Sequence, residues 1–134
     1  MNETHKTLSE TVAGRLRELR KAADLSQGPL AKRMRSRGHA WGDTVVSRVE
    51  RCEREVSVPE LVTLAAVLGV RLQALLEPYG SHIEVGGVPI ESNIFRPWAL
   101  GVGTLQLGDD KVVRLDTPLF MASHPELFRE KEGE

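Results

Sequence analysis

Apolar side chains in the first part of the chain recur at the spacing of a helix. Leu8, Val12, Leu16, Leu19 and Ala23 follow one another at intervals of four and three residues. This spacing predicts a helix with a single apolar face. Similar short blocks of apolar residues continue to about residue 77, so we expect several short helices packed around one core.

Capping signals set the boundaries of this helix and of four more. Thr7 and Ser57 are each followed three residues later by Glu, the pattern of a capping box at a helix start. Gly38 and Gly69 stand where a helix is expected to end. The predicted helices are, in chain order, one from Thr7 to about Ala23, one from Gln27 behind Ser26 to Gly38, one from Gly42 or Asp43 to about Arg51, one from Ser57 to Gly69 and one from Leu72 to Leu76.

Glycine becomes frequent after Pro78, and the pattern changes from helix to hairpin. Two pairs of short apolar segments each flank a glycine-containing turn, which favours two β-hairpins. The predicted elements after Pro78 are a hairpin of residues 83–85 and 88–90 around Gly86-Gly87, one or two helical turns in residues 92–100 limited by Pro97, a second hairpin of residues 104–107 and 111–115, and a short helix in residues 118–134.

These elements predict a mainly α protein in two parts. A five-helix domain occupies residues 1–79, and a small α+β region with β-hairpins occupies residues 80–134. A length of 134 residues suits this division. The sequence has no run of 18 apolar residues, and its start is polar, so we expect neither a membrane span nor a secretory signal. A single cysteine, Cys52, fits a reducing cytoplasm.

Charge is distributed unevenly along the chain. Residues 1–80 hold 13 Lys and Arg against 10 Asp and Glu, whereas residues 81–134 hold 5 against 9. Residues 31–54 alone hold 7 basic against 3 acidic side chains. Positive charge is therefore concentrated around the second and third predicted helices, as a phosphate-binding surface requires, although a solvated helical surface gives the same pattern.

Catalytic and metal-binding patterns are missing from the sequence. The four histidines are scattered, and none has the spacing of a metal-ligand pair. The sequence holds no phosphate loop, nucleophile elbow or paired carboxylates. We therefore expect a protein that is not an enzyme and that needs no cofactor and no metal.

Several short motifs follow one another in residues 12–77. They are Arg15-Leu-Arg-Glu-Leu-Arg20, Leu25-Ser-Gln27, Leu30-Ala31, Val46-Ser-Arg-Val-Glu50-Arg51 and Leu61-x-x-Leu64-Ala65-x-x-Leu68-Gly69-Val70. In this order and spacing they resemble the lambda-repressor-like helix-turn-helix domain of the Cro/cI and XRE family, and the resemblance covers about half of the chain. It implies a five-helix DNA-binding fold whose third helix, about residues 42–51, enters the major groove of a double-stranded operator.

The resemblance also implies roles for single residues. Gln27 matches a family residue that binds a phosphate and supports base contacts, and Arg20 and Glu50 match a structural ion pair between the first and third helices. Two features depart from the family. About five extra residues lie within 35–41, and Asp43 stands where the family often has a basic residue or Gln. Asp43 either caps the third helix or accepts from a cytosine amino group.

The outward face of the third helix holds the candidates for base readout. Thr44, Ser47 and Arg48 lie opposite Val46 and Val49, which we expect to face the core. Arg48 either reads the O6 and N7 atoms of a guanine or contacts a phosphate or a surface acid. Trp41 is either a core residue under the turn or a wedge into DNA. Further candidates for phosphate contacts are Lys32, Arg33, Arg35, Arg37, Arg51 and Arg54.

The function that we predict is a sequence-specific transcriptional repressor, of the phage or prophage immunity type or an actinobacterial regulator of that type. The alternative is an antitoxin-like autoregulator whose acidic C-terminal part binds a protein partner, and a third hypothesis is a regulator that senses a small molecule through residues 81–134. We expect a homodimer, because the family usually binds two-fold operators and residues 81–134 are unusually apolar for a tail. Their apolar side chains are Ile94, Phe95, Trp98, Leu100, Leu119, Phe120 and Phe128.

Overall fold

The computed structural model describes residues 5–103, 105, 107 and 125–128. Within these residues the chain is mainly helical, with one two-stranded sheet. Among them, no helix combines the length and the apolar character that a bilayer span needs. The elements are α1 (Leu8–Ala22), α2 (Gln27–Ser36), α3 (Val45–Glu50), α4 (Val58–Leu68), α5 (Leu72–Leu75), β1 (His82–Val85), β2 (Val88–Glu91), α6 (Ser92–Ala99) and α7 (Pro125–Phe128).

Both predicted capping boxes form. The hydroxyls of Thr7 and Ser57 accept from the backbone N–H of Glu10 and Glu60, and each Glu side chain accepts from the backbone N–H of its capping residue. Gly69 ends α4 with φ of 69°, in the left-handed region where a Cβ would be strained. Local chemistry thus fixes these boundaries, and the predicted helix starts at residues 7 and 57 are confirmed.

The first five helices enclose one apolar core. Its centre is formed by fully buried side chains from α1, α2, the turn before α3, α3 and α4, among them Leu16, Leu30, Trp41, Val46 and Leu64. Trp41 has no exposed surface, so it is the core residue that one of the two sequence-based alternatives described. Packing on this core fixes helices that are too short to be stable alone.

Helix α3 is shorter than predicted. It spans six residues from Val45, and the segment from Gly42 to Thr44 is a turn closed by the Val45 N–H on the Gly42 carbonyl at 3.1 Å. The Trp41 carbonyl, which would accept from the Val45 N–H in a helix that began at Gly42, accepts from the Arg35 side chain at 2.6 Å instead. Helix α5 likewise ends one residue earlier than predicted.

A hairpin and α6 build a second, smaller core. Strands β1 and β2 pair antiparallel with Ile83 opposite Ile90, around the predicted turn at Gly86-Gly87. Ile83, Ile90 and Phe95 are buried together and pack on Leu8 and Leu76. The first predicted hairpin is therefore confirmed.

Helix α6 departs from the prediction at Pro97. The helical turns predicted in residues 92–100 form, but Pro97 lies inside the helix and does not limit it, since α6 continues to Ala99. Helix α7 falls within the segment where a short helix was predicted. The second predicted hairpin, residues 104–107 with 111–115, lies outside the described residues, apart from residues 105 and 107.

Hydrogen bonds and a cation–π contact join the two cores. The Glu84 N–H donates to the Lys6 carbonyl at 2.9 Å, so the chain before α1 lies along β1. Arg15 donates from Nε to the Glu77 carbonyl at 2.8 Å, and its guanidinium lies 3.7 Å from the centre of the Tyr79 ring. Burial, together with a hydrogen bond to a carboxylate of α1, raises the pKa of Tyr79 to about 12. The chain before α1 is thus bonded to β1 through Lys6, and Arg15 of α1 holds Glu77 and Tyr79, which lead into the C-terminal region.

Candidate nucleic-acid interface

The outward face of α3 is polar and open. Val46 and Val49 are buried and hold the helix on the core. On the other side, Thr44 and Arg48 are exposed and Ser47 is half-buried. The structure therefore brings together, on one exposed surface, the three residues that the sequence suggested for base readout.

An ion pair fixes the C-terminal end of α3. Arg20 Nη2 lies 2.7 Å from Glu50 Oε1, and the two side chains are only 9% and 5% exposed. Arg20 also donates to the Leu25 carbonyl at 2.8 Å, and Gln27 Nε2 donates to Glu50 Oε2 at 3.3 Å. Gln27, half-buried at the start of α2, is thereby bonded directly to the end of α3. The pair and the amide lock the relative position of α1, α2 and α3.

A second carboxylate, that of Glu60 in α4, is bonded to residues that flank α3 in the chain. Glu60 accepts from the indole Nε1 of Trp41 and from Arg54 Nη2, the latter at 2.8 Å. Its Oε1 accepts from the Ser57 N–H at 2.9 Å. Burial alone would raise the pKa of Glu60, but the hydrogen bonds from Arg54, Ser57 and Trp41 outweigh it and lower the pKa to about 2. The carboxylate is therefore charged at neutral pH.

Arg54 is bonded to Glu60 and does not extend freely from the surface. The sequence suggested a phosphate contact, but its guanidinium donates inward to Glu60 and lies 5.5 Å from the Trp41 ring. The side chain is 30% exposed. Sequence reasoning assigned Glu60 only to the capping box and missed this cluster. The available signal was Trp41 itself, because a buried indole N–H needs an acceptor.

The remaining basic candidates fall into two groups. Lys32, Arg33 and Arg37 are exposed on and after α2, and in the described part of the chain none of them makes an ion pair. Arg35 is engaged by the Trp41 carbonyl, and Arg51 lies 3.2 Å from a neighbouring acid at the surface. The exposed charge beside α3 thus comes mainly from α2.

Asp43 does not cap α3. The N-cap position is Thr44, and no side chain hydrogen-bonds to the first backbone N–H groups of the helix. The Asp43 carboxylate instead lies 3.3 Å from Arg35 Nη1 and is 83% exposed. An exposed pair of this kind contributes little to stability, so the carboxylate is available to other partners.

The described residues hold no cluster of metal-ligating side chains. Among them, His, Cys, Asp and Glu side chains form no group of three that could hold an ion. The site is instead a surface of hydroxyl and guanidinium groups on two short helices, the chemistry that contacts base edges and phosphates.

A protein-family model matches the helical part of the chain. Residues 16–75 match the family model HTH_3, described as helix-turn-helix. The search of curated proteins found no match. Three solved structures are similar to the chain. The hypothetical transcription factor NHTF from Neisseria is 27% identical, and the match covers 58% of this chain and 87% of that chain with a TM-score of 0.48. The BldD DNA-binding domain from S. venezulae is 33% identical, with 52% of this chain and 96% of that chain covered and a TM-score of 0.44, and the restriction-modification controller protein C.AhdI from Aeromonas hydrophila is 34% identical, with 50% of this chain and 94% of that chain covered and a TM-score of 0.44. Residues 16–75 therefore form an XRE-type helix-turn-helix domain.

Proposed function

We propose that the protein is a sequence-specific transcriptional repressor that inserts α3 into the major groove of an operator. The observation that carries this proposal is the exposed face of α3, where Thr44, Ser47 and Arg48 stand opposite the buried Val46 and Val49. A helix fixed to a core by one face and polar on the other can present side chains to base edges.

Within this function, Arg48 is the principal base-reading residue. Its planar guanidinium matches the two acceptors of guanine, whereas Thr44 and Ser47 have hydroxyls that can donate to or accept from several bases. Asp43 is free to accept from a cytosine amino group. Phosphates are contacted by Gln27 at the start of α2 and by the basic side chains of Lys32, Arg33, Arg37 and Arg51. These phosphate contacts supply affinity rather than sequence preference.

We further propose that the repressor acts as a homodimer paired through its C-terminal region. A six-residue recognition helix contacts only a few base pairs, so one copy has limited specificity. The support for the surface is α6 and the residues after it, where Ile94, Trp98, Leu100 and Val102 are between 39% and 64% exposed. Residues 1–79 bind DNA and residues 80–134 pair the copies. Light scattering of the full-length wild type and of Trp98→Ser tests the proposed dimer. A wild type that is a monomer refutes it.

The decisive experiment for DNA binding is enrichment from a random-sequence duplex library with the full-length protein, followed by a gel shift with the enriched sequence and a scrambled duplex. The repressor proposal predicts an enriched motif and a complex that prefers it at moderate salt. No preference between the two duplexes refutes it. The promoter that contains the motif then tests the immunity type, since we expect it beside phage or prophage genes.

A second candidate function is an antitoxin-like autoregulator. The observation in its favour is that the exposed apolar residues of α6 lie in a region with 5 basic against 9 acidic side chains, a surface suited to a basic protein. Co-purification of a small basic protein encoded next to this chain supports it. A purified homodimer with no such partner favours the repressor.

A further inference from the structure

Two side chains on either side of the recognition helix meet at one carboxylate. Trp41 lies before α3 and Arg54 lies after it, and both donate to Oε2 of Glu60, which belongs to α4. A second Arg54 nitrogen donates to Glu60 Oε1 at 3.3 Å. Residues 42–53 therefore begin and end at a single buried group, which is 8% exposed.

Helix α3 depends on such anchors for its position. It has six residues and no side-chain hydrogen bond at its N-terminus, so it has little stability of its own. Val46 and Val49 hold it on the core, but apolar contacts are non-directional and allow small rotations and shifts. Hydrogen bonds to a charged carboxylate have a defined length and direction, so they restrict these movements.

We propose that Glu60 is a positioning residue for operator recognition: its carboxylate fixes both ends of residues 42–53 and thereby sets the preference of the protein for operator over other DNA. The proposal rests on the proposed function. Base readout requires the side chains of α3 to be placed within fractions of an ångström. Attraction to phosphates is long-ranged and tolerates small shifts. A loosened Glu60 cluster should therefore reduce specific binding far more than non-specific binding.

The proposal requires the charge of Glu60 and not only its shape. The carboxylate accepts from Trp41, from two nitrogens of Arg54 and from the Ser57 N–H. A glutamine has the same size but only one acceptor oxygen, and its amide group would face one of these donors. Glu60→Gln thus preserves packing and removes part of the anchor.

Glu55 provides the matched control. It is exposed, and its side chain accepts one hydrogen bond, from the Ser9 hydroxyl at 3.2 Å. Glu55→Gln changes the net charge by the same amount as Glu60→Gln and lies just before α4, but it leaves the Trp41 and Arg54 contacts intact. Any general effect of added positive charge on DNA binding will appear in both variants.

The experiment measures the affinities of the full-length wild type, E60Q and E55Q for two duplexes: the sequence that the wild type enriches most and a scrambled duplex. We expect E60Q to lower the ratio of the two affinities by about tenfold or more, the size of a lost base contact. Its affinity for the scrambled duplex should equal that of E55Q, and E55Q should keep the wild-type ratio.

A folded E60Q with the ratio of E55Q overturns the inference, and so does an equal loss on both duplexes, which a purely structural role would produce. If E60Q does not fold, Trp41→Phe removes one donor and keeps an aromatic ring in the core; a lower ratio supports the inference and an unchanged ratio overturns it. A wild type that enriches no sequence refutes the proposed function itself, before any variant is compared.

Discussion

Gly14 and Tyr79 are in direct contact, and the contact leaves no room for a side chain. A Cβ at residue 14 would lie 2.7 Å from the Tyr79 hydroxyl oxygen. That hydroxyl donates to Glu18 at 2.6 Å, and the ring is covered by Arg15, so the tyrosine cannot move away without losing contacts. A glycine inside α1, unfavourable for the helix itself, is thus required by the packing of Tyr79, which directly precedes the C-terminal region.

We predict that Gly14→Ala destabilises the protein by about 1–2 kcal/mol. The substitution gains up to about 1 kcal/mol of helix propensity, but the forced shift of Tyr79 costs about 1–3 kcal/mol. Urea unfolding measures the change. In a Tyr79→Phe background the hydroxyl is absent, so the same substitution should be neutral or stabilising. A loss of equal size in both backgrounds would contradict this explanation.

We predict that Glu50→Ala destabilises the protein by about 3–5 kcal/mol, because it leaves the buried Arg20 guanidinium without its charge partner. Thermal and urea unfolding of the purified variant measure the loss. Glu53→Ala is the control, since Glu53 makes an exposed ion pair with Arg51 and should contribute less than about 1 kcal/mol. Equal effects of the two substitutions would disprove the structural role of the buried pair.

Glu60 should make stability depend on pH in the acid range. Its pKa is lowered from 4.5 to about 2 in the folded protein, so the folded state binds the proton less readily than the unfolded state does. The resulting stability, about 3 kcal/mol, is fully present above pH 4.5 and is lost as the pH falls through about 2. Urea unfolding at several pH values should show a shallower acid loss for E60Q than for wild type; parallel curves would exclude Glu60 as the cause.

We predict that Arg48→Ala weakens binding to the enriched duplex by about 1–3 kcal/mol and relaxes the preference at one base pair. The physical reason is the loss of a bidentate contact that only one base pair can satisfy. Binding competition against duplexes substituted at each position measures both effects. Equal losses on enriched and scrambled duplexes would show that Arg48 contacts only phosphate.

Arg33 and Arg35 are neighbours on α2, but we predict different salt dependences for their alanine variants. Arg33→Ala should weaken binding to both duplexes and make the salt slope shallower by about one unit, as the loss of one phosphate contact does. Arg35 is held by the Trp41 carbonyl and Asp43, so Arg35→Ala should keep the slope. Affinities measured over a range of salt concentrations test both. A shallower salt slope for Arg35→Ala would show that Arg35 contacts a phosphate.

The features that the sequence predicted well are those that depend on near neighbours in the chain. The capping boxes at Thr7 and Ser57 and the turn at Gly86-Gly87 are determined by residues within four positions of one another. Apolar spacing likewise identified Val46 and Val49 as the buried face of α3.

The features that it did not predict depend on contacts between distant residues. Helix α3 starts late, and the Trp41 carbonyl accepts from Arg35 instead of from the N–H of a longer helix. Arg54 turns inward because Glu60 of another helix is within reach. The packing of Tyr79 on Gly14 joins residues 65 positions apart. Spacing along the chain has no information on such pairs. Of the contacts described for the candidate site, the Arg20–Glu50 ion pair was expected from the family resemblance, whereas the contacts of Arg35 and Arg54 were not.

The attachment of the C-terminal region to α1 has a consequence for the DNA that the protein can occupy. Lys6 bonds to β1, and Arg15 holds Glu77 and Tyr79 just before β1, so the two cores are connected without a flexible linker. In a dimer paired through α6, the distance and the angle between the two recognition helices would then be set by the protein itself. Such a dimer would bind two half-sites at one fixed separation, and its affinity would fall when a few base pairs are inserted between the same half-sites.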